Sequence, residues 1–357
     1  MNLNHVADIK KLDTHLVAES INSLPDQIAQ VVSDFKKIKL SIKHQQVDNI
    51  VVAGMGGSNL GAGIIKSALS DHLKKPLEIL AGYEVPANVS RNTLFVMSSY
   101  SGGTEETLAT FEQARKKGAQ IIAITAGGTL AKLMSKNGIP GYIFKHNHNP
   151  SDQPRLGLGY SIFGILMLLT KIGLIDVKAG EAQKIISSLR AQNKKLVPEI
   201  NAKNNLAKKI ANELFGQMPI LVAPDFLAGN LHAMRNQFCE TSKNFASYLV
   251  LPDLNHFALE GLAHPYENKK GLVFLFFKSD LAHPRIQLRS KITKKIIKQN
   301  GLETHAIKLS GKTKLSQAFE LLQLGTWITY YLGMLNEVDP VKIPFVDWFK
   351  KELERQG

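Results

Sequence analysis

The sequence predicts an α/β protein built as two doubly wound sandwiches with mainly parallel sheets. Three observations carry this prediction. Short apolar runs alternate with segments of helical periodicity, glycine-rich turns follow several of the runs, and 357 residues are enough for about two domains. Buried strands that alternate with helices are typical of a parallel sheet covered on both faces.

The predicted strands fall into two groups along the chain. They are Ile50–Ala53, Leu77–Leu80, Thr93–Met97, Gln120–Thr125, Tyr142–Phe144, Pro219–Ala223, Leu272–Phe277 and Glu303–Leu309. A polar stretch, His146–Gly159, separates the two groups, and we place the domain boundary there. The first domain is then residues 1–150 and the second is residues 151–357.

Helices are predicted wherever apolar residues recur at intervals of three and four between the strands. They are the N-terminal stretch to about Lys43, Ile64–Leu69, Glu105–Lys117, Tyr160–Lys171, Glu181–Phe215 with a break near Pro198, Leu227–Thr241, Arg285–Gln299, Leu315–Leu335 and a last helix ending near Leu353. Glycine and proline mark several of their ends, as at Gly118.

Composition excludes several classes of protein. Apolar residues make up 44% of the chain, which excludes disorder as the main state. The longest apolar runs are far shorter than the ~20 residues of a membrane span, so no membrane partner is expected. The N-terminus has no secretory signal, and the single cysteine, Cys239, excludes an intramolecular disulfide. We therefore expect a cytoplasmic protein in which Cys239 packs as a small hydrophobe.

The charge of the chain favours anionic partners. Its formal net charge is +14, and the stretch Lys278–Lys314 holds ten basic residues against Asp280 and Glu303. No aromatic interleaving accompanies these lysines and arginines, so a solvated helix face is favoured over a nucleic-acid surface. The histidines of His146–Asn149 have no cysteine or carboxylate beside them and are interpreted as a polar loop, so no metal is expected.

The first candidate ligand loop, Gly54–Gly61, connects a predicted strand to a predicted helix. Glycine lets the backbone approach a ligand, and the helix N-terminus that follows offers free amides to an anion. A dinucleotide fingerprint requires glycine where this chain has Asn59. A Walker loop ending in Gly311-Lys312-Thr313 is excluded, because Ala306 stands where its earlier glycine is needed.

The second candidate loop, Ser99–Thr107, also ends a strand and begins a helix. The hydroxyls of Ser99, Ser101 and Thr104 converge there with the first amides of the helix, an arrangement that suits a phosphate monoester. Helix capping accounts for one of these hydroxyls but not for three beside two glycines. Both loops fall at the carboxyl ends of strands, where open α/β sheets bind ligands.

Two such loops in a first α/β domain resemble the sugar isomerase (SIS) domain, which binds phosphosugars. Later segments resemble the bifunctional phosphoglucose/phosphomannose isomerase family, in the same order, and the likeness runs from about Ile50 to the end. The segments are Gln153–Tyr160, Arg235–Lys243, Asp253–His256, and Val338–Pro340 with Phe349–Lys351. The pair of Glu240 and His256 is the feature that distinguishes this family among SIS proteins.

The resemblance implies a role for each site residue. Glu240 is expected to be the base that moves a proton between C2 and C1, and Arg155 to stabilise the enediolate. His256 is expected to open the sugar ring with help from Lys350. The expected phosphate-binding residues are Gly56, Gly57, Ser58, Ser99, Ser101 and Thr104. No cofactor and no metal are implied.

The implied reaction interconverts fructose 6-phosphate with glucose 6-phosphate, mannose 6-phosphate or both. A homodimer is also implied, with His256 reaching the neighbouring site. Cys239 and Thr241 depart from the asparagines that usually flank the base in this family. Two alternatives stay open: an SIS isomerase for another phosphosugar, and a non-catalytic phosphosugar sensor. Without the resemblance, Glu240 is better interpreted as a surface carboxylate paired with Arg235 or Lys243.

Overall fold

A computed structural model describes residues 1–40, 42, 46–178 and 180–356. Within these ranges the strands are β1 (Asn49–Ala53), β2 (Leu77–Leu80), β3 (Thr93–Ser99), β4 (Gln120–Thr125), β5 (Gly141–Ile143), β6 (Met218–Pro224), β7 (Ser247–Leu251), β8 (Leu272–Lys278) and β9 (Glu303–Lys308). They form one sheet in the order β2-β1-β3-β4-β5 and another in the order β7-β6-β8-β9. Every pairing within the two sheets is parallel, so the predicted fold class is confirmed.

Helices connect the strands and cover the sheets. In the described residues they are α1 (Val6–Leu12), α2 (Val17–Asn22), α3 (Leu24–Asp34), α4 (Gly57–Ala68), α5 (Glu105–Lys116), α6 (Gly128–Asn137), α7 (Leu158–Ile172), α8 (Glu181–Asn193), α9 (Leu206–Leu214), α10 (Ala228–Thr241), α11 (Asn268–Gly271), α12 (Pro284–Gln299), α13 (Lys314–Leu335) and α14 (Pro344–Gln356). None of these helices combines the length and the apolar character that crossing a membrane requires.

Alternate residues of the first sheet bury themselves in two different cores. In β3, Leu94 and Val96 join the large core that also holds α4 and α7. Their neighbours Phe95 and Met97 join a smaller core with residues of α5 and α6. This alternation follows from the two-residue period of a strand. It explains why the sequences of strands covered on both faces are unbroken apolar runs.

The structure corrects the predicted N-terminal helix and confirms a predicted helix break. The N-terminal stretch forms the three short helices α1, α2 and α3, and positions 41 and 43–45, including Lys43, lie outside the described residues. The break predicted near Pro198 within Glu181–Phe215 is confirmed: α8 ends at Asn193, α9 begins at Leu206, and the intervening segment carries Pro198, whose ring cannot sit in a helix interior. Helices α6 and α11 and strand β7 have no counterpart among the predicted elements.

Helix α4 begins seven residues earlier than the predicted Ile64. It begins at Gly57, directly after the N-cap residue Gly56, whose φ of +48° lies in the region that favours glycine. The first ligand loop is therefore shorter than the sequence indicates. Ser58 belongs to the first turn of the helix, where amides without an intrahelical acceptor are found.

The contact between α4 and α10 joins the two halves of the molecule. A Cβ at Gly229 would lie 2.3 Å from the Gly63 carbonyl oxygen, so the two backbones approach more closely than any side chain allows. The Gly229 amide also donates to the Ser67 hydroxyl at 3.1 Å. Because α4 begins at the first ligand loop and α10 carries Glu240, this contact fixes the position of one relative to the other.

Candidate functional site

A cavity of about 1050 Å³ collects most of the predicted site residues. The two ligand loops form one wall, while the end of α10 and one face of α14 form the other. The predicted residues that line it are Gly56, Gly57, Ser58, Ser101, Thr104, Arg155, Glu240 and Lys350. Of the residues predicted for the site, Ser99 and His256 do not line this cavity in the described chain.

Hydrogen bonds from Ser58 tie the two ligand loops together. Its hydroxyl accepts from the Tyr100 amide at 2.8 Å, and its carbonyl accepts from the Ser98 hydroxyl at 2.8 Å. Asn59, which replaces the third glycine of a dinucleotide fingerprint, donates to the Gly54 carbonyl at 3.1 Å. The first loop is thus closed on itself and fastened to the second, which gives both a fixed shape before any ligand binds.

The second loop presents two hydroxyls to the cavity and keeps a third beneath them. Ser99 is buried, where its hydroxyl contacts that of Thr104 at 2.8 Å and accepts from the Gly102 amide at 3.0 Å. Ser101 and Thr104 line the cavity. Thr104 is the N-cap residue of α5, yet its side chain makes no capping hydrogen bond. The first amides of α5 are therefore left for an anion, as a phosphate site requires.

Two carboxylates stand beside this candidate anion site. Glu105 and Glu106 occupy the first turn of α5 and line the same cavity. Acidic residues in a first turn stabilise a helix by interacting with its dipole. They also repel a bound anion, so the hydroxyls and amides have to supply the attraction.

Arg155 is a buried guanidinium that connects three segments of the chain. It is 3% exposed, and it donates to the carbonyls of Pro340 at 2.6 Å and Val341 at 3.0 Å. It also donates to Gln153 at 2.9 Å and to the Thr241 hydroxyl at 3.3 Å. Burial lowers the pKa of Arg155, although nearby carboxylates oppose the shift. A guanidinium remains charged under these conditions.

Glu240 lies against this guanidinium at the cavity wall. Its Oε2 is 3.4 Å from Nη1 of Arg155, and 32% of its side chain is exposed. The expected alternative pairing with Arg235 is not formed, because Arg235 donates to the Asn236 side chain instead. One carboxylate and one buried guanidinium therefore face the two hydroxyl loops across the same cavity.

Lys243 lies next to Glu240, and the sequence predicts only an ion pair between the two side chains. Its ammonium donates to the carbonyl of Glu240 at 2.8 Å and to that of Asp339, and its φ of +51° is unusual for a residue other than glycine. Desolvation and the charge of Arg155 lower the pKa of Lys243 to about 8. No sequence signal marks a left-handed lysine, so this contact had to be seen in the structure.

The environment of Cys239 differs from the expectation. The sequence predicts that it packs as a small hydrophobe, but its thiol is exposed. The buried face of α10 near its end is made by Gln237, Phe238 and Thr241, and Cys239 lies on another side of the helix.

Lys350 and His256 occupy different parts of the surface. Lys350 lines the cavity from α14, whose described residues are all at least partly exposed. His256 ends a short 3₁₀ turn, Asp253–His256, and is exposed there. Lys350 and Glu240 therefore line one cavity of the same chain, while His256 is not part of that cavity.

Comparison with protein families identifies both halves of the chain. Residues 203–353 match the family described as the bacterial phospho-glucose isomerase C-terminal SIS domain, and residues 44–135 match the SIS domain. A bifunctional phosphoglucose/phosphomannose isomerase of Caldicellulosiruptor bescii is 35% identical over 344 residues, which is 94% of this chain and 98% of the relative.

Two further comparisons agree with these matches. A protein of the same name from Thermoplasma volcanium is 31% identical and covers 94% of this chain and 99% of its own length. A crystal structure of a hypothetical protein from Thermus thermophilus superposes with a TM-score of 0.76, covering 98% of this chain and 94% of that one at 16% identity. At that identity the likeness supports the fold alone.

We predict that Arg155→Lys destabilises the protein, because an ammonium cannot reach all the acceptors that the guanidinium now satisfies. Buried carbonyls left without a donor cost about 1–3 kcal/mol in the free energy of unfolding. Urea denaturation measures this loss. Arg190→Lys is the matched control, since Arg190 pairs with Asp26 at 2.7 Å on the exposed surface. Equal losses in the two variants would contradict the structural role given to Arg155.

Proposed function

The chain belongs to the bifunctional phosphoglucose/phosphomannose isomerase family, and on that premise we propose that it interconverts fructose 6-phosphate with glucose 6-phosphate, mannose 6-phosphate or both. The observation that carries the proposal is the shared cavity, in which hydroxyl-bearing loops face the Glu240 carboxylate and the Arg155 guanidinium. In this proposal a phosphosugar contacts both walls at once. Its phosphate then contacts the hydroxyl-bearing loops, and its reacting carbons lie near Glu240 and Arg155.

The two loops hold the phosphate in this proposal. The hydroxyls of Ser58, Ser101 and Thr104 and the amides at the start of α5 surround the oxygens. Gly56 and Gly57 keep the backbone close to the ligand, and Ser99 positions Thr104 from below. Binding energy from this remote group orients C1 and C2 at the other wall.

Glu240 moves the proton between the two reacting carbons. Its carboxylate takes the proton from C2 of the open-chain aldose, the electrons of that bond form the C1–C2 double bond, and the π electrons of the C1 carbonyl move to O1, which gives the enediolate. The protonated Glu240 then delivers a proton to C1, while the O2 hydroxyl proton passes to O1 and the C2 carbonyl forms. The charge that develops on the enediolate oxygens lies near the Arg155 guanidinium, which is held rigidly by its other hydrogen bonds. A preorganised charge of this kind stabilises the transition state without reorganising.

Ring opening is assigned to Lys350 and His256, and it requires a homodimer. Lys350 reaches the cavity of its own chain, but His256 is exposed on the outer surface. Next to it Phe257 is 57% exposed, and α14 exposes Phe345, Trp348 and Phe349. Exposed aromatic residues of this density support a protein interface. We assign His256 to the cavity of the partner subunit.

A cytoplasmic location is part of the same proposal. Phosphorylated hexoses are charged metabolites that the cell retains, and the single cysteine, Cys239, is free. A free exposed thiol is stable in a reducing compartment.

We predict that Glu240→Gln lowers the rate of fructose 6-phosphate isomerisation by about 10²–10⁴-fold, because the amide cannot accept the C2 proton. NMR in heavy water measures both aldose products and the deuterium incorporated at C2. Glu106→Gln is the matched control, since it removes a carboxylate from the same cavity without touching the reacting carbons. It should retain the turnover rate and lower KM, because a charge that repels phosphate is lost.

An unchanged rate in Glu240→Gln would contradict the assignment of the base. The same NMR assay separates the alternatives for the wild-type protein. Turnover of an amino- or longer-chain phosphosugar without turnover of fructose 6-phosphate would identify a different SIS isomerase. Tight binding of fructose 6-phosphate without any turnover would identify a sensor.

We predict that two inactive variants, Glu240→Gln and His256→Ala, complement each other when mixed. A mixed dimer has one cavity with both residues intact if His256 acts across the interface. Random exchange of subunits then restores up to about a quarter of wild-type activity. Light scattering confirms the dimer, and each variant assayed alone is the control. No recovery in a mixture shown to have exchanged subunits would contradict the shared site.

A further inference from the structure

A second cavity, of about 320 Å³, lies in the half of the molecule that carries no predicted phosphate loop. It is formed by the end of β6 at Pro224, the end of β8 at Lys278, the loop that follows β8, and one face of α12. Lys308, at the end of β9, completes it. Its lining residues, within the described chain, are all different from those of the Glu240 cavity.

The position of this cavity corresponds to that of the phosphate loops in the first sheet. The first sheet reverses its strand order between β1 and β3, and the second reverses its order between β6 and β8. A reversal of this kind opens a crevice at the carboxyl ends of the two strands, and ligands bind there in open α/β sheets. The second cavity is the crevice at the β6/β8 reversal.

Lysines concentrate around this crevice. Lys278, Lys291, Lys294 and Lys308 line it, with Asp280 as the one carboxylate among the described lining residues. Asp280 pairs with Lys308 at 2.7 Å, while the structure places no carboxylate of the described chain within 4.0 Å of the other three ammonium groups. Desolvation and, after it, the charges of Lys298 and Lys278 lower the pKa of Lys294.

The loop after β8 repeats a feature of the second ligand loop. The buried hydroxyl of Ser279 accepts from the Leu281 amide at 2.9 Å, as that of Ser99 accepts from the Gly102 amide at 3.0 Å. Ser290 adds a second hydroxyl from α12. The N-terminus of α12 is already capped, because the side chain of its N-cap residue accepts a backbone amide of the first turn. The lysines and hydroxyls are therefore the groups that can meet a ligand.

We propose that the β6/β8 crevice is a second anion site, which binds a small phosphate monoester independently of the sugar phosphate at Glu240. Three lysines with no carboxylate partner in the described chain supply the charge, and the enclosed volume is within the range of small-molecule pockets. A nucleic-acid surface is the less favoured alternative. Its contacts would follow an extended backbone, whereas these lysines converge on one crevice.

The test is calorimetric titration with inorganic phosphate at an ionic strength held constant with chloride. The wild-type protein is expected to bind phosphate at two sites per chain. Lys291→Gln with Lys294→Gln should weaken one of them roughly a hundredfold, because two charge-assisted hydrogen bonds are lost. The other site should be unchanged, and so should isomerisation of fructose 6-phosphate. Neither lysine is buried, so the variant should fold normally, which thermal unfolding checks.

The matched control is Lys295→Gln with Lys312→Gln, which removes the same charge from residues that do not line the crevice. It should retain both phosphate sites. An equal loss of phosphate affinity in the two double variants would overturn the proposal, because binding would then follow net charge. A single phosphate site in the wild-type protein that Lys291→Gln with Lys294→Gln leaves unchanged would overturn it too. Binding of a DNA or RNA oligonucleotide lost only in Lys291→Gln/Lys294→Gln, without phosphate binding, would reassign the surface to nucleic acid.

Discussion

The buried Arg155 guanidinium is the interaction on which the candidate site depends. A charge removed from water is costly unless its donors are satisfied, and here the partners come from residues around positions 153, 241 and 340. Those partners cannot be assembled unless the segment before α7, the end of α10 and the approach to α14 meet at one point. Arg155 thus makes the geometry of the cavity a condition of folding, and it leaves one edge of the guanidinium beside Glu240.

Two close backbone contacts make this meeting point possible. A Cβ on Gly57 would lie 3.1 Å from the backbone of Pro154, so the start of α4 rests directly on the segment that carries Arg155. Farther along the same helix, Gly63 meets Gly229 at the start of α10. Glycine at these positions lets the first ligand loop and the helix that carries Glu240 approach without an intervening side chain. The placement of the candidate site and the packing of α4 against α10 therefore depend on the same contact surface.

The sequence predicts those parts of the fold that follow from local patterns. The fully buried β3 contains an unbroken apolar run, and β4 has the predicted bounds Gln120–Thr125. Strands covered on both faces are predicted well because their sequences are continuously apolar. Strand β7 is not predicted, because most of it is half-buried and it lies at the edge of its sheet. The start of α4 depends on the left-handed Gly56, which propensity does not reveal. The sequence shows that Ser99, Lys243 and His256 are present but not where their side chains lie. The positions of Ser99 and Lys243 depend on tertiary contacts, and the role of His256 depends, in our proposal, on a partner subunit.

A crystal structure of the protein with bound fructose 6-phosphate tests the central claim most directly, because the claim concerns two walls of one cavity. We expect the phosphate to contact Ser101, Thr104 and the first amides of α5, with a Glu240 carboxylate oxygen about 3 Å from C1 or C2. A sugar bound with its reacting carbons far from Glu240, or with its phosphate outside the two loops, would contradict the mechanism.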